Sequence, residues 1–303
     1  MKIIVTGSLG HISKPLTEEL VGKGHSVTVI SSKAERQKDI EALGAKAAIG
    51  TMEDADFLAA TFTGADAVCV MEALGGPGND ADQNLDIIAV ISKLGNNYRQ
   101  AIQQSGVKRV VHLSSVGAHT DQGNGLLAFH YRVEKILNQL PSDVSITFMR
   151  PVGFYNNLLA FIPAIKTQGM IVSNYGGDDK KPWVSPIDIA AAIAEEITTP
   201  FVGRKVRYVA SEEISCNEIA SILGAAIGKP DLKWVVISDE QLLKGMIASG
   251  VNPRIAAGLV EMNASASRHG GKFYEDYYRN RPTLGNVKVK DFAKEFAVVY
   301  NQK

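Results

Sequence analysis

Three places in the sequence combine residue types and spacings that could do chemistry. VTGSLGHIS, residues 5 to 13, sets Gly7 and Gly10 directly after an apolar, β-branched run and at the start of a helical pattern. A dinucleotide pyrophosphate asks for this arrangement. Glycines allow the tight turn and close backbone approach, and a helix N-terminus offers free N–H groups to the negative charge. Ser13 stands where a third glycine is usual and is small enough for close helix–strand packing. A lone Gly-x-x-Gly says little, but its place after a first strand, with further β-α units behind it, makes it specific. A tight turn without a ligand is the competing reading. Further on, the second strand ends Ile30-Ser31-Ser32-Lys33-Ala34-Glu35-Arg36. An NAD site usually has a carboxylate there for the ribose hydroxyls; this tip has none. Ser32, Lys33 and Arg36 are suited instead to a 2′-phosphate, through charge-assisted hydrogen bonds. NADP(H) is therefore favoured over NAD(H), against the plainer reading that Lys33 and Arg36 are solvated loop cations.

The third place is HYRVEK, residues 130 to 135, with Tyr131 and Lys135 four apart on one helix. Such a pair can deliver the proton that accompanies hydride transfer to a carbonyl, provided both face the cofactor. The register argues against it. At roughly 100° per residue, Phe129, Val133, Ile136, Leu137 and Leu140 share about 80° of arc, and Tyr131 and Lys135 lie roughly 155 to 165° from its centre. His130 lies about 65° away and Leu126 about 25°, so they stand at the edge that touches both sheet and cofactor. His130 is expected to hydrogen-bond the nicotinamide ribose or the acceptor oxygen, and to donate a proton near neutral pH. The alternative is a core-edge histidine satisfied by a backbone carbonyl. Glu134 reads as a surface or supporting residue. Without a tyrosine acid the site suits a strong hydride acceptor such as a quinone better than an unactivated ketone.

The elements that must position these residues alternate. KIIVT (2 to 6), SVTVI (26 to 30), AKAAI (45 to 49), AVCVM (67 to 71), RVVHLS (109 to 114) and SITFM (145 to 149) read as strands. Helical patterns lie near 11 to 23, 35 to 43, 52 to 61, 84 to 104 and 126 to 139. Right-handed β-α-β steps then give an α/β fold, a doubly wound parallel Rossmann sheet. After Arg150-Pro151 the rhythm changes to loops, aromatics and helices. Residues 1 to 150 are expected to form the NAD(P)-binding domain. Residues 151 to 303 would form a smaller, mostly helical lobe for substrate or partner, with 185 to 210 returning to the sheet through KVRYVA. Ser185 with Asp188, Ser215 with Glu218, Ser238 with Gln241 and Thr51 with Asp54 have capping-box spacing. Gly75 to Gly78 and Gly117 to Gly125 are glycine-rich loops that order over a dinucleotide or stay mobile. Phe154, Tyr155, Phe161, Trp183, Tyr274, Tyr277 and Tyr278 either line a flat pocket for an aromatic acceptor or pack the two lobes together.

Composition excludes several function classes. The 303 residues carry 32 Lys plus Arg and 32 Asp plus Glu, so no basic field draws nucleic acid or an anionic membrane. No run approaches the ~18 apolar residues of a membrane span, and the opening MKIIVTG is a strand rather than a secretory signal. Cys69 and Cys216 are far apart, which fits a reducing compartment, the cytoplasm. The six histidines have no metal-ligand spacing, and no metal is expected.

TGSLGHIS, GHSVTVI, NNYRQAIQQSGVKRVVHLSS, TFMRPVGFYNN and PWVSPIDIAAAIAEEI, in that order over residues 1 to about 295, resemble the NmrA-like family of atypical short-chain dehydrogenases/reductases. The resemblance implies a Rossmann domain binding NAD(P) and a variable C-terminal lobe. Family members include NADPH-dependent quinone and dye reductases, isoflavone-reductase-like enzymes and NADP-sensing regulators. By position, Gly7, Ser8, Gly10, His11 and Ile12 match the family's pyrophosphate loop, with Leu9 inside it and Met71 at the end of the fourth strand as a further cofactor contact. Asn97 and Ser114 match an asparagine before and a serine at the end of the fifth strand. Arg150, Pro151 and Phe154 match the RPxxF segment beside the nicotinamide. His130 and Ser114 are thus the expected catalytic residues, with Leu126 in the place of the proton-donating tyrosine. Ser32 departs from a common Arg, and Thr51 from a common Asp. The expected function is NAD(P)H-dependent reduction of a quinone-like aromatic by direct hydride transfer. The rival is a non-catalytic NADP(H) sensor; a sugar-nucleotide epimerase or dehydratase is disfavoured because it needs the Tyr/Lys pair in register. The expected partner is the small-molecule acceptor alone, and a homodimer is left open.

Overall fold

The computed structural model describes residues 1–72, 86–267 and 272–302; the glycines at 75 to 78 lie outside them. The first half alternates β1 (Lys2–Val5), α1 (Ser13–Gly22), β2 (Ser26–Ser31), α2 (Gln37–Ala42), β3 (Lys46–Ile49), α3 (Ala55–Phe62), β4 (Ala67–Val70), α4 (Ile87–Ser105), β5 (Arg109–Leu113), α5 (Ala128–Leu137) and β6 (Ser145–Pro151). The apolar runs of β4 and β6 are buried along their whole length, as expected where helices cover both faces of a parallel sheet. The chain then runs through β7 (Gly153–Phe154), α6 (Ile162–Gln168), β8 (Met170–Ser173), β9 (Lys181–Val184), α7 (Pro186–Thr198) and β10 (Arg204–Val209). It ends with β11 (Glu212–Ile214), α8 (Cys216–Ala226), β12 (Lys233–Val236), α9 (Asp239–Ala248), α10 (Pro253–Ser267), α11 (Glu275–Arg279) and α12 (Val289–Asn301).

Seven parallel strands form the main sheet in the order β10-β6-β5-β4-β1-β2-β3. This is the expected doubly wound sheet, and KVRYVA does return to its edge as β10. The direction of winding reverses between β1 and β4, which opens a crevice beyond their C-terminal ends, where ligands of such sheets bind. Beyond residue 151 the chain is mainly helical, but it also pairs β11-β9-β7 and β12-β8 into two small sheets that the sequence pattern does not announce. A separate apolar core lies there, around Tyr155, Ile219, Trp234 and Phe296. No described helix is long and apolar enough to cross a membrane.

Two of the four expected capping boxes form, at Ser215/Glu218 and Ser238/Gln241. Ser185 caps α7 through Ile187 N, but Asp188 does not reach back to it. Asp188 accepts instead from Ser211 and from the backbone of Asn286 and Val287, and Ser211 Oγ receives the Ser185 N–H. At α3 the cap is Asp54 itself, with Thr51 closing only the turn before it. A nearer acceptor displaced the textual pattern in both cases.

Candidate functional site

The turn after β1 is built as the glycines require. Gly7 has φ 87°, and a Cβ there would stand 2.6 Å from Met71 Sδ and 2.7 Å from Ser13 Oγ. Ser13 is buried and its hydroxyl donates to Thr6 O at 2.9 Å, so it serves the close packing expected of it. Ser8 sits at φ 55°, the one described non-glycine residue with positive φ. That conformation costs about 1 to 3 kcal/mol and tends to persist at functional sites. Its amide donates to Ile30 O and its hydroxyl to Ser31 Oγ, which ties the turn to the tip of β2. Gly10 and His11 are exposed, Leu9 is half-buried and Ile12 is buried at the start of α1, a helix without a side-chain cap. Lys14 N–H already donates to Gly10 O and Pro15 has none, so the helix start offers an anion the N–H groups of Ile12 and Ser13.

Beside this turn, Ser32, Lys33 and Arg36 are all exposed, and among the described residues their side chains make a single ion pair, Arg36 to Asp39 at 3.4 Å. Met71 lies at the end of β4, its carbonyl held by Tyr98 Oη at 2.7 Å. Asn97 stands apart: its amide holds the carbonyls of Met52 and Glu53, so it shapes the loop after β3.

Ser114, His130 and Phe154 come together on a cavity of about 350 Å3 between the C-terminal ends of β4 to β6 and the later segments. Pro151 is buried just behind, its carbonyl accepting from Val116 N. Of the aromatics, Phe154, Trp183 and Tyr274 line the cavity. Tyr155 stacks on Phe292, and Phe161 meets Trp234 and Tyr277 meets Tyr208 edge-on, all as packing, while Tyr278 is exposed. Leu126 leans against Gly258 of α10, and Leu127 is the residue that reaches the cavity. The loop of Gly117 and Gly125 is gripped: Asn124 bonds Gly117 O and Thr120 O, and a Cβ on Gly125 would meet the backbone of α10.

Tyr131 and Lys135 are not on this cavity. They face a separate cleft with Asn138 and Arg204, and Lys135 Nζ sits 5.3 Å over the Tyr131 ring. The helix register read from the sequence holds.

Two expectations need correction. Glu134 is neither surface-facing nor idle: it is buried, accepts the Ser114 hydroxyl at 2.6 Å and is clamped by Arg150 through Nε and a terminal nitrogen at 2.9 and 2.6 Å. Burial opposes charge on Arg150, but the Glu134 carboxylate more than offsets it and raises the guanidinium pKa. With its proton directed at Glu134, Ser114 offers oxygen lone pairs to the cavity. His130 is not an acid near neutral pH. Burial, then the nearby His112 and Arg150, push its pKa well below the ordinary 6.5. Its ring packs on Phe129 at 4.1 Å, and no described residue bonds its Nδ1; the imidazole is neutral.

Sequence reasoning missed a pair beneath the cavity. Glu72 and His112 side chains are fully buried, with Nε2 3.0 and 3.1 Å from the two carboxylate oxygens. Burial works against charge on His112, but the carboxylate raises its pKa overall. A glutamate directly behind the apolar AVCVM strand was the available signal. Lys181, Tyr175 and Cys216 also line the cavity and had no local signal, because the small sheet that presents Lys181 was not foreseen.

Residues 7–200 match the model of the NAD(P)H-binding family. The chain belongs to that family. The NmrA-like resemblance read from the motifs stands with it. An NAD(P)H azoreductase of Xenophilus azovorans is 27% identical over 269 residues, 87% of each chain. An Escherichia coli NADPH-dependent quinone oxidoreductase complexed with NADPH shares the fold at TM-score 0.74 and 19% identity, over 97% of this chain and 99% of that one. A nucleoside-diphosphate-sugar epimerase of Staphylococcus aureus does so equally, at 0.74 and 15%, over 97% and 100%. The fold alone does not choose between reduction and epimerisation.

Proposed function

We propose that the protein is an NAD(P)H-dependent reductase that passes hydride directly to an electron-poor aromatic acceptor of the quinone class. The observation that carries this is the aromatic-walled cavity beside the glycine turn, which holds Ser114 and a neutral His130 but has Leu126 turned away where a tyrosine acid would stand. Its other acidic protons are held too tightly to give, since burial raises the pKa of Cys216 to about 12 and those of Tyr175 and Tyr274 further. A bound nicotinamide supplies the hydride. The hydroquinone anion formed from a quinone is a weak base and takes its proton from water, so the site needs no strong acid. The names of the azoreductase and quinone-oxidoreductase relatives support the same reading.

In this reading Gly7, Ser8, Leu9, Gly10, His11 and Ile12 cradle the pyrophosphate, and Met71 backs the turn. Ser32, Lys33 and Arg36 hold a 2′-phosphate, which favours NADP(H). Ser114 accepts a hydrogen bond, and His130 donates an N–H to the acceptor oxygen without becoming charged. Pro151 and Phe154 flank the nicotinamide. Residues 1 to 150, with the returning 185 to 210, serve as the cofactor domain, and the rest forms the acceptor lobe. Purified protein should oxidise NADPH with a panel of quinones. Binding of NADPH with oxidation no faster than in buffer for every quinone would leave the sensor reading, with NADP⁺ and NADPH giving different proteolysis at residues 117 to 125.

A further inference from the structure

The charge on the cavity wall is uneven. Apart from Tyr175, Tyr274 and Cys216, its titratable side chains are Glu72, His130 and Lys181. The Glu72 carboxylate is fully buried against His112, and His130 is neutral. Lys181 has no ion pair among the described residues, although its neighbour Lys180 reaches Glu218 at 3.8 Å. It is half-buried on β9, whose backbone is fixed by β11 through the Lys181–Ile214 pairing and by β7 through Gly153 and Trp183. Its charge is felt at the Cys216 thiol on the same wall. Lys181 thus belongs to the lobe's share of the cavity wall, with Tyr175, Trp183 and Cys216, and the glycine-turn residues 7 to 12 do not line that cavity.

We infer that Lys181 anchors an anionic substituent, a sulfonate or carboxylate, on the aromatic acceptor. The inference rests on the reductase reading for the identity of the ligand. An unpaired ammonium on an aromatic wall attracts a planar anion and repels a planar cation. The ring stays against Trp183 and Phe154 while the anionic group reaches Lys181. Lys181 takes no part in the chemical step; hydride leaves the cofactor and arrives on the ring at the Ser114–His130 end.

The test compares 1,4-naphthoquinone-2-sulfonate with neutral 1,4-naphthoquinone, in wild type, Lys181→Ala, Lys181→Glu and Lys181→Arg. Lys181→Ala should raise KM for the sulfonate about tenfold, the size of one charge-assisted hydrogen bond. KM for the neutral quinone and kcat for both should stay within about threefold. Lys181→Arg should restore the sulfonate KM, and Lys181→Glu should worsen it further. Equal KM changes for the two quinones, or none, overturn the inference. Calorimetric titration with naphthalene-2-sulfonate, which accepts no hydride, separates binding from turnover. Lys181-dependent binding without NADPH oxidation would uphold the anion site and defeat the reductase reading alone. Oxidation with sulfonate binding indifferent to Lys181 would do the reverse.

Discussion

Glu134 is the residue on which the stability of the site and the state of Ser114 both depend, and Glu134→Ala tests that. The wild-type carboxylate takes two bonds from Arg150 and one from Ser114, with Arg150 and Glu134 side chains only 7% and 8% exposed. Removing it leaves a buried guanidinium with Asp276 and Tyr208 as its remaining partners. Breaking one side of a buried pair typically costs about 3 to 5 kcal/mol. Asp276 compensates in part, so the lower end, about 3 kcal/mol, is expected. For a chain of this size that lowers Tm by roughly 5 °C. Urea unfolding at pH 7 gives the free energy directly. Arg150→Met should rescue much of the loss in the double variant, because the orphaned charge goes with it. A loss under about 1 kcal/mol in Glu134→Ala, or a double variant that simply adds the two single losses, would show that the pair carries no such energy.

The cofactor assignment predicts that Lys33→Ala with Arg36→Ala weakens NADPH by about 1 to 3 kcal/mol in titration and leaves NADH nearly unchanged; equal losses would refute it. Tyr131→Phe should keep quinone turnover within about threefold, as substitutions away from a site do. His130→Ala should slow it about tenfold, the cost of one hydrogen bond of roughly 1.4 kcal/mol in the transition state; the opposite order would place the chemistry in the other cleft. Because burial lowers the His130 pKa in the folded protein, the unfolded chain binds more protons between that value and 6.5. His130 therefore costs stability as pH falls below about 6.5 and nothing above it. His130→Gln should lose less stability than wild type between pH 7.5 and 5.5, and a parallel loss in both would contradict a neutral, buried imidazole.

How much was legible depends on whether a residue's role is fixed by its own segment. The β-α alternation, the glycine turn, the return of β10 and the outward register of Tyr131 are local or periodic properties, and the sequence displays them. Ser185 and Thr51 mark the limit: the spacing for a capping box was present, but Ser211 and Asp54 offered better geometry. Glu134 and Glu72 fail differently. A carboxylate on a helix flank or behind a strand reads as solvated until a cation is known to be buried opposite it. Arg150 is 16 residues from Glu134, and His112 is 40 residues from Glu72. The same reasoning covers Lys181, which is unremarkable in KKPWV and meaningful only once β9 stands between β7 and β11 and puts it on the cavity wall that also carries Trp183. Charged residues whose partners are distant in sequence are where physical reading of the chain runs out. In this protein those residues decide that the cavity holds a neutral histidine, a serine whose proton is turned to Glu134, and a lysine with no ion pair among the described residues.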